Sequence, residues 1–368
     1  TYLMAGLFEQ HDKSKFELIA FSFDQENSDE MRKRVVKAFD QFMDVTNLSD
    51  KEVASLSRQM GIDIAIDLKG LTQDCRVGIF SYRAAPIQVS YLGFPGTMGA
   101  TYIDYLIADK TLIPKQSQKY YAEKIAYLPN SYQVNDSRRE ISARIFTREE
   151  LKLPQSGFVY CCFNSSYKIT PYAFDGWMRI LKKVQGSVLW LIEDNPSAVS
   201  NLQLEAQRCG VDSKRLIFAK KIPLPDHLAR HQAADLFLDT LPYNAHTTAS
   251  DSLWVGVPVL TRAGESFASR VAASLLTALD LPELIASSQA DYETLAVDLA
   301  INPERLKIIR QKLKQNLQST SLFNTAMFAR HIENAYTQMY ERYHDNLPFD
   351  HIFVTDQFQH PSNTQNSK

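Results

Sequence analysis

Short apolar runs, each followed by a helical pattern, recur along nearly the whole of this sequence. That alternation constrains the fold more than any other feature. Parallel strands need a crossover between them, and a helix is the usual one, so repeated strand–helix units build a parallel sheet covered by helices. The first series of strands reads Phe16 to Phe23, Phe42 to Val45, Ile62 to Leu68, Ile87 to Leu92, Tyr105 to Ala108 and Ile125 to Leu128, with a helix from Lys51 to Met60. Residues 131–156 are polar and weakly periodic. From Phe158 the pattern restarts: strand FVYCCF, helix Ala173 to Val184, strand Val188 to Ile192, helix Ala198 to Cys209, and strand Leu216 to Ala219. Strand Asp235 to Asp239, a helix near Ser250 and strand Val257 to Leu260 follow, then helices to Tyr343 and a polar tail from Gln357 that reads as disordered.

A single core stops growing near about 250–300 residues, and this chain has 368. The expectation is an α/β protein of two Rossmann-like domains facing a cleft. Residues 1–130 form the first, 131–156 the connection, 157–345 the second with its terminal helices, and 346–368 the tail. The G-x-G-x-x-G fingerprint is missing, which argues against a dinucleotide enzyme. A net charge of -2 lacks the basic footprint of a nucleic-acid binder. No apolar run has the length of a membrane helix. Four cysteines are too few for a disulfide framework, so a reducing, cytoplasmic setting is expected. The chain opens on Thr1 in what reads as the middle of an amphipathic helix, and an upstream part is expected.

Open parallel sheets bind ligands beyond the carboxyl ends of their strands, so the loops there should carry the chemistry. In the segment Leu238 to Leu260, His246, Thr247 and Thr248 stand at the start of a helix. Free backbone N–H groups and the helix dipole at such a start suit a diphosphate. Asp251, a turn further on, is placed to accept the hydroxyls of a ribose. The plain alternative is an ordinary threonine cap with a solvated aspartate. After FVYCCF come Ser165 and Lys168, and an ammonium beside a departing phosphate stabilises its developing charge; otherwise Lys168 is a surface lysine. His227 and Arg230, three apart, share a helix face and reach toward a base or phosphate, or form a solvated basic pair. In the first domain the loop with Gly93, Pro95, Gly96 and Thr97 lets backbone approach a ligand, or is simply a tight turn. The acidic strand end Asp63 to Asp67 lines the same edge of that domain, with Asp63 or Asp67 near an acceptor hydroxyl or capping a turn.

At these residues the chain resembles the catalytic region of the protein O-linked N-acetylglucosamine transferases. The stretches that carry the likeness are RAAPIQVSYLGFPGTMGATYIDYLIAD (83–109), FNSSYKITP (163–171), SVLWL (187–191), LDTLPYNAHTTASDSLW (238–254), GESFASRVAASLL (264–276) and SLFNT (321–325). The resemblance implies a two-domain GT-B glycosyltransferase without a metal, a UDP-GlcNAc or related UDP-sugar donor, and Ser or Thr hydroxyls of a protein as acceptor. It implies that Lys168 neutralises the departing UDP, that His246, Thr247 and Thr248 hold its phosphates, and that Asp251 binds ribose. His227 and Arg230 would lie beside uracil, and Gly93 to Thr97 beside the sugar. Ser165 stands where the family has glutamine, and Leu224 where it has lysine. The family's first strand and a histidine near the acceptor would precede Thr1, and tetratricopeptide repeats would lie upstream of them. The insertion between the domains of animal members is missing here, as in bacterial relatives. Two other readings of the same residues are a sugar-nucleotide epimerase and a non-catalytic module that keeps a UDP-sugar pocket.

Overall fold

The computed structural model describes residues 1–23 and 29–356. The first unit opens with α1 (Ala5–Gln10), β1 (Ile19–Ser22), α2 (Glu30–Ala38), β2 (Gln41–Asp44), α3 (Asp50–Gln59) and β3 (Ile64–Asp67). It continues with α4 (Gly78–Ser81), β4 (Ile87–Ser90), β5 (Tyr105–Asp109) and β6 (Lys124–Leu128). The second unit contains β7 (Val159–Cys162), α5 (Pro171–Lys183), β8 (Val188–Ile192), α6 (Pro196–Arg208), β9 (Leu216–Ala219), α7 (Leu224–His231) and β10 (Leu236–Leu238). After it come α8 (Thr247–Trp254), β11 (Val259–Arg262), α9 (Val271–Ala278), β12 (Ile285–Ala286), α10 (Gln289–Ile301), α11 (Pro303–Ser319), α12 (Thr325–His344) and β13 (Ile352–Phe353).

Local signals explain where several helices begin. Ser49 and Glu52 form a reciprocal capping box at α3. Thr170 caps α5, whose first residue is Pro171, and Asn195 caps α6 ahead of Pro196. The central strands are buried because helices cover both faces: every residue of β7, β4 and β5 is buried, the polar Gln88, Ser90 and Asp109 included.

Every strand pairing is parallel. The second unit's sheet runs β12-β11-β10-β7-β8-β9. This is the doubly wound order, in which the winding reverses between β7 and β10 and leaves a crevice beyond their carboxyl ends. The first unit's main sheet runs β13-β6-β5-β4-β3, and β1 and β2 pair separately.

One domain boundary is corrected. Residues 325–345 were expected in the second unit and 346–368 in a tail, yet β13 adds to β6 and α12 packs on the first unit. The apolar stripe Phe328, Ile332, Ala335 and Met339 of α12 joins a core with Ile87, Val89, Ile107 and Ile125. The expected disordered tail from Gln357 lies outside the described residues.

The two units meet at a hydrogen-bonded seam. Asp109, at the end of β5, accepts from the Ser274 hydroxyl of α9 (2.6 Å) and from the Tyr132 amide (2.9 Å). Arg270 donates to the Thr111 carbonyl (2.6 Å), and Phe267 packs edge-on against Tyr132. Part of the polar connection is buried in the seam, including Asn135, Asp136 and Arg139. No helix among the described residues is long and apolar enough to cross a membrane.

Candidate functional site

Two loops flank the reversal point. The one after β10 is pinned from beneath by Asp239, which is buried. One carboxylate oxygen accepts from the Thr240 and Ala245 amides (2.7 and 2.6 Å), and the other from the Thr261 hydroxyl (2.6 Å). Burial pushes this carboxyl up to about 7, against those hydrogen bonds and the nearby Lys168. The loop after β7 is fixed by Asp194, which accepts from the Ser166 amide (2.8 Å), and by Asn164, whose amide donates to the Thr240 hydroxyl (2.7 Å).

These loops bring Lys168 and the start of α8 together. Lys168 Nζ donates to the Asn244 carbonyl (2.9 Å), three residues before Thr247, and stands 4.1 Å from the centre of the Tyr243 ring. The Thr248 hydroxyl donates to Asn164 Oδ1 (2.5 Å), tying the first turn of α8 to the β7 loop. His246 occupies the N-cap of α8 without capping it. Among the described residues the amides of Thr247, Thr248 and Ala249 donate to no protein acceptor. An uncapped helix start beside a half-buried cation has the features that favour an anion. Burial pulls the Lys168 amine down to about 8, with Asp239 and Cys162 opposing, so it remains mostly charged at neutral pH.

The role expected of His246 is narrowed. Its Nε2 donates to the Ala268 carbonyl (3.2 Å), and burial together with the Lys168 charge holds its pKa down to about 3. The ring is therefore neutral at pH 7, and its unbonded Nδ1 is an acceptor rather than a donor. It offers a neutral ring stacked on Tyr243, not a second positive charge or a mobile proton.

His227 and Arg230 do share a face of α7, but the face is not solvated. Arg230 donates to His227 Nδ1 (2.9 Å) and to the Lys220 carbonyl (2.7 Å), and the His227 ring lies 5.0 Å from Phe163 at the end of β7. Burial, then the Arg230 charge, keep the His227 pKa down to about 4. Ser165 is half-buried at the start of the turn that carries Lys168. Asp251 is buried and paired with Arg139 of the connection (2.5 Å), so any ribose contact shares its carboxylate with that ion pair.

The first-unit candidates need correction. Asp63 is exposed and precedes β3, at the amino end of a parallel strand, opposite the edge where ligands bind. Asp67 is at the correct end, but its Oδ1 accepts from the Lys69 and Gly70 amides (2.9 Å each), so it caps the turn. Thr97 is also engaged: its hydroxyl donates to Glu123 (2.6 Å), and Glu123 also accepts from the Met98 amide. Gly93 is needed for packing, since a Cβ there would sit 2.2 Å from the Leu68 carbonyl oxygen and 2.8 Å from Lys69 Cα. Gly93→Ala is therefore expected to cost about 1–3 kcal/mol through backbone displacement, read as a lowered denaturation midpoint. Pro95 and Gly96 continue this half-buried loop around Phe94.

Sequence reasoning missed Asn164, Tyr243, Asn244 and Arg139. Asn164 and Tyr243 stood inside the motifs FNSSYK and LPYNAHTT but carry no charge to draw notice. Arg139 lay in a stretch that read as a linker.

A profile described as Glycosyl transferase family 41 matches residues 1–143 and 138–332. The "Probable UDP-N-acetylglucosamine--peptide N-acetylglucosaminyltransferase SEC" of Arabidopsis thaliana is 36% identical over 346 residues, which are 92% of this chain and 35% of that protein. The UDP-N-acetylglucosamine--peptide N-acetylglucosaminyltransferase of Caenorhabditis elegans is 26% identical, over 96% of this chain and 40% of its own length. Among solved structures, a mutant of the Thermobaculum terrenum O-GlcNAc transferase superposes with a TM-score of 0.86 at 32% identity, covering 94% of this chain and 65% of that one. The chain thus spans well under half the length of these two curated relatives.

Proposed function

The chain belongs to glycosyl transferase family 41, and from that premise we propose that it transfers N-acetylglucosamine, or a related hexose, from a UDP-sugar to Ser or Thr hydroxyls of a protein. The observation that carries the reading is the meeting of Lys168 and the open start of α8 at the reversal point of the second sheet. The acceptor oxygen bonds to the anomeric carbon and its hydroxyl proton passes to solvent as the bond from that carbon to the diphosphate oxygen breaks, inverting the centre. The departing UDP takes the electron pair, and its added negative charge falls to the Lys168 ammonium and the amides of Thr247 and Thr248. Those groups are fixed before reaction, so they stabilise the transition state without reorganising. In this scheme they do the work for which other transferases use a divalent metal. Asp251 faces the ribose, and His227 with Arg230 the uracil; Leu224 in place of a basic residue makes that end of the pocket less polar. A cytoplasmic setting and upstream tetratricopeptide repeats that recruit acceptors belong to the same proposal, supported by the family alone.

The test is mass spectrometry of a peptide library incubated with the full-length protein and either UDP-GlcNAc or UDP-glucose. The expected result is a hexose-derived mass on Ser or Thr with release of UDP. An altered sugar nucleotide without acceptor, or UDP binding without transfer, would overturn it. The pH dependence follows from Lys168. The group is charged below its pKa of about 8, so kcat/KM should fall as pH rises through that value. The limb in kcat should lie higher, because bound diphosphate favours the ammonium.

A further inference from the structure

Lys168 is a cation without an ion pair among the described residues. Among the described residues no carboxylate lies within salt-bridge distance of its amine, whose close contacts are the Asn244 carbonyl at 2.9 Å and the Tyr243 ring at 4.1 Å. The same ring stacks on His246, centroids 4.9 Å apart and planes 25° from parallel, and meets Tyr167 edge-on at 6.4 Å. The Tyr243 hydroxyl makes no hydrogen bond among the described residues, while its carbonyl accepts from Thr240 (2.6 Å) and fixes the backbone. The contribution of this side chain is therefore its aromatic face.

We infer that Tyr243 is a positioning residue of the donor site, holding the Lys168 amine on its ring face so that it stays charged and aimed at the donor's diphosphate. The inference rests on the role given to Lys168 above. A ring quadrupole attracts an ammonium within about 6 Å and does so more strongly where water is excluded. It also adds no negative charge that would repel the incoming diphosphate, as a carboxylate at the same place would. The other groups facing Lys168 are Asp239 and Cys162 from beneath and the neutral His246 from the start of α8. They are common to every Tyr243 variant and drop out of a comparison between them.

The experiment measures the titration of Lys168 directly, by competitive acetylation with acetic anhydride across pH followed by peptide mass spectrometry, in the full-length protein without donor. Tyr243→Phe should titrate as the parent does. Tyr243→Leu and Tyr243→Met, which keep bulk but lose the ring, should titrate lower by about half a unit to one unit. The alkaline limb of kcat/KM should move with them, with kcat falling more than donor KM rises. An unchanged or raised Lys168 titration in the Leu and Met variants would overturn the inference, as would a Phe variant that drops as far as they do. The acetylation readout does not depend on turnover. A protein that transfers no sugar yet shows the expected titration shifts would sink the functional reading and support the placement of Lys168 by Tyr243.

Discussion

Lys168→Met is expected to lower turnover by about a hundred- to a thousandfold, the usual effect of removing one fixed charge-stabilising donor from a transferase or hydrolase site. The amine lies in the crevice at the reversal point and is desolvated enough to have its pKa pulled to about 8. A charge held in such surroundings acts on a developing anion with little screening. Stability should change little, because methionine fills the same stem volume and only one hydrogen bond, to the Asn244 carbonyl, is lost. Donor KM should move less than kcat, since the ammonium matters most where the leaving group gains charge. Steady-state kinetics paired with thermal melting separates these effects. A variant that melts as the parent does and turns over at the parental rate removes Lys168 from the mechanism.

Asp251→Ala is expected to destabilise the protein by about 3–5 kcal/mol, the cost of leaving one partner of a buried ion pair alone. The Arg139 side chain is only 3% exposed and that of Asp251 8%. Arg139 is flanked by Trp254 and Phe323, with ring centres 5.3 and 5.8 Å from its guanidinium carbon, so it cannot turn to water without disturbing both. Burial pushes the Asp251 carboxyl up to about 6 even with Arg139 favouring its charge. Exchanging both residues for apolar ones, Arg139→Met with Asp251→Leu, should recover most of the lost stability. It should not recover donor affinity if Asp251 also holds the ribose. Chemical denaturation of the two variants, with UDP titrations on each, separates a pair that only joins the units from one that also binds the nucleotide. Full recovery of UDP affinity in the double variant would leave Asp251 with a structural role alone.

The strands were legible because burial on both faces leaves largely apolar runs, continuous in FVYCCF and broken only by Gln88 and Ser90 in IQVSYL. The site was legible where a general rule tied function to position: strand ends locate loops, and threonines opening a helix suggest an anion. The rule misled at Asp63. The run Ile62 to Leu68 included it, and a boundary two residues too generous hid that it precedes the strand. Asp67 and Thr97 have side chains that serve a ligand or a turn equally well, and only the positions of the Gly70 amide and the Glu123 carboxylate decide. For α12 the sequence gave only a helical region running to Tyr343, and a helical pattern does not say which sheet its buried face meets. The partner of Arg139 lies 112 residues away and leaves no local trace.

The return of α12 and β13 to the first sheet bears on how the chain is made. A ribosome delivers β6 long before β13, and the intervening residues include the whole second sheet. The later-encoded sheet can therefore close while the earlier one still lacks an edge strand and a covering helix, reversing the usual order in which domains mature during synthesis. Until the last segment emerges, β6 offers an open edge to any passing strand.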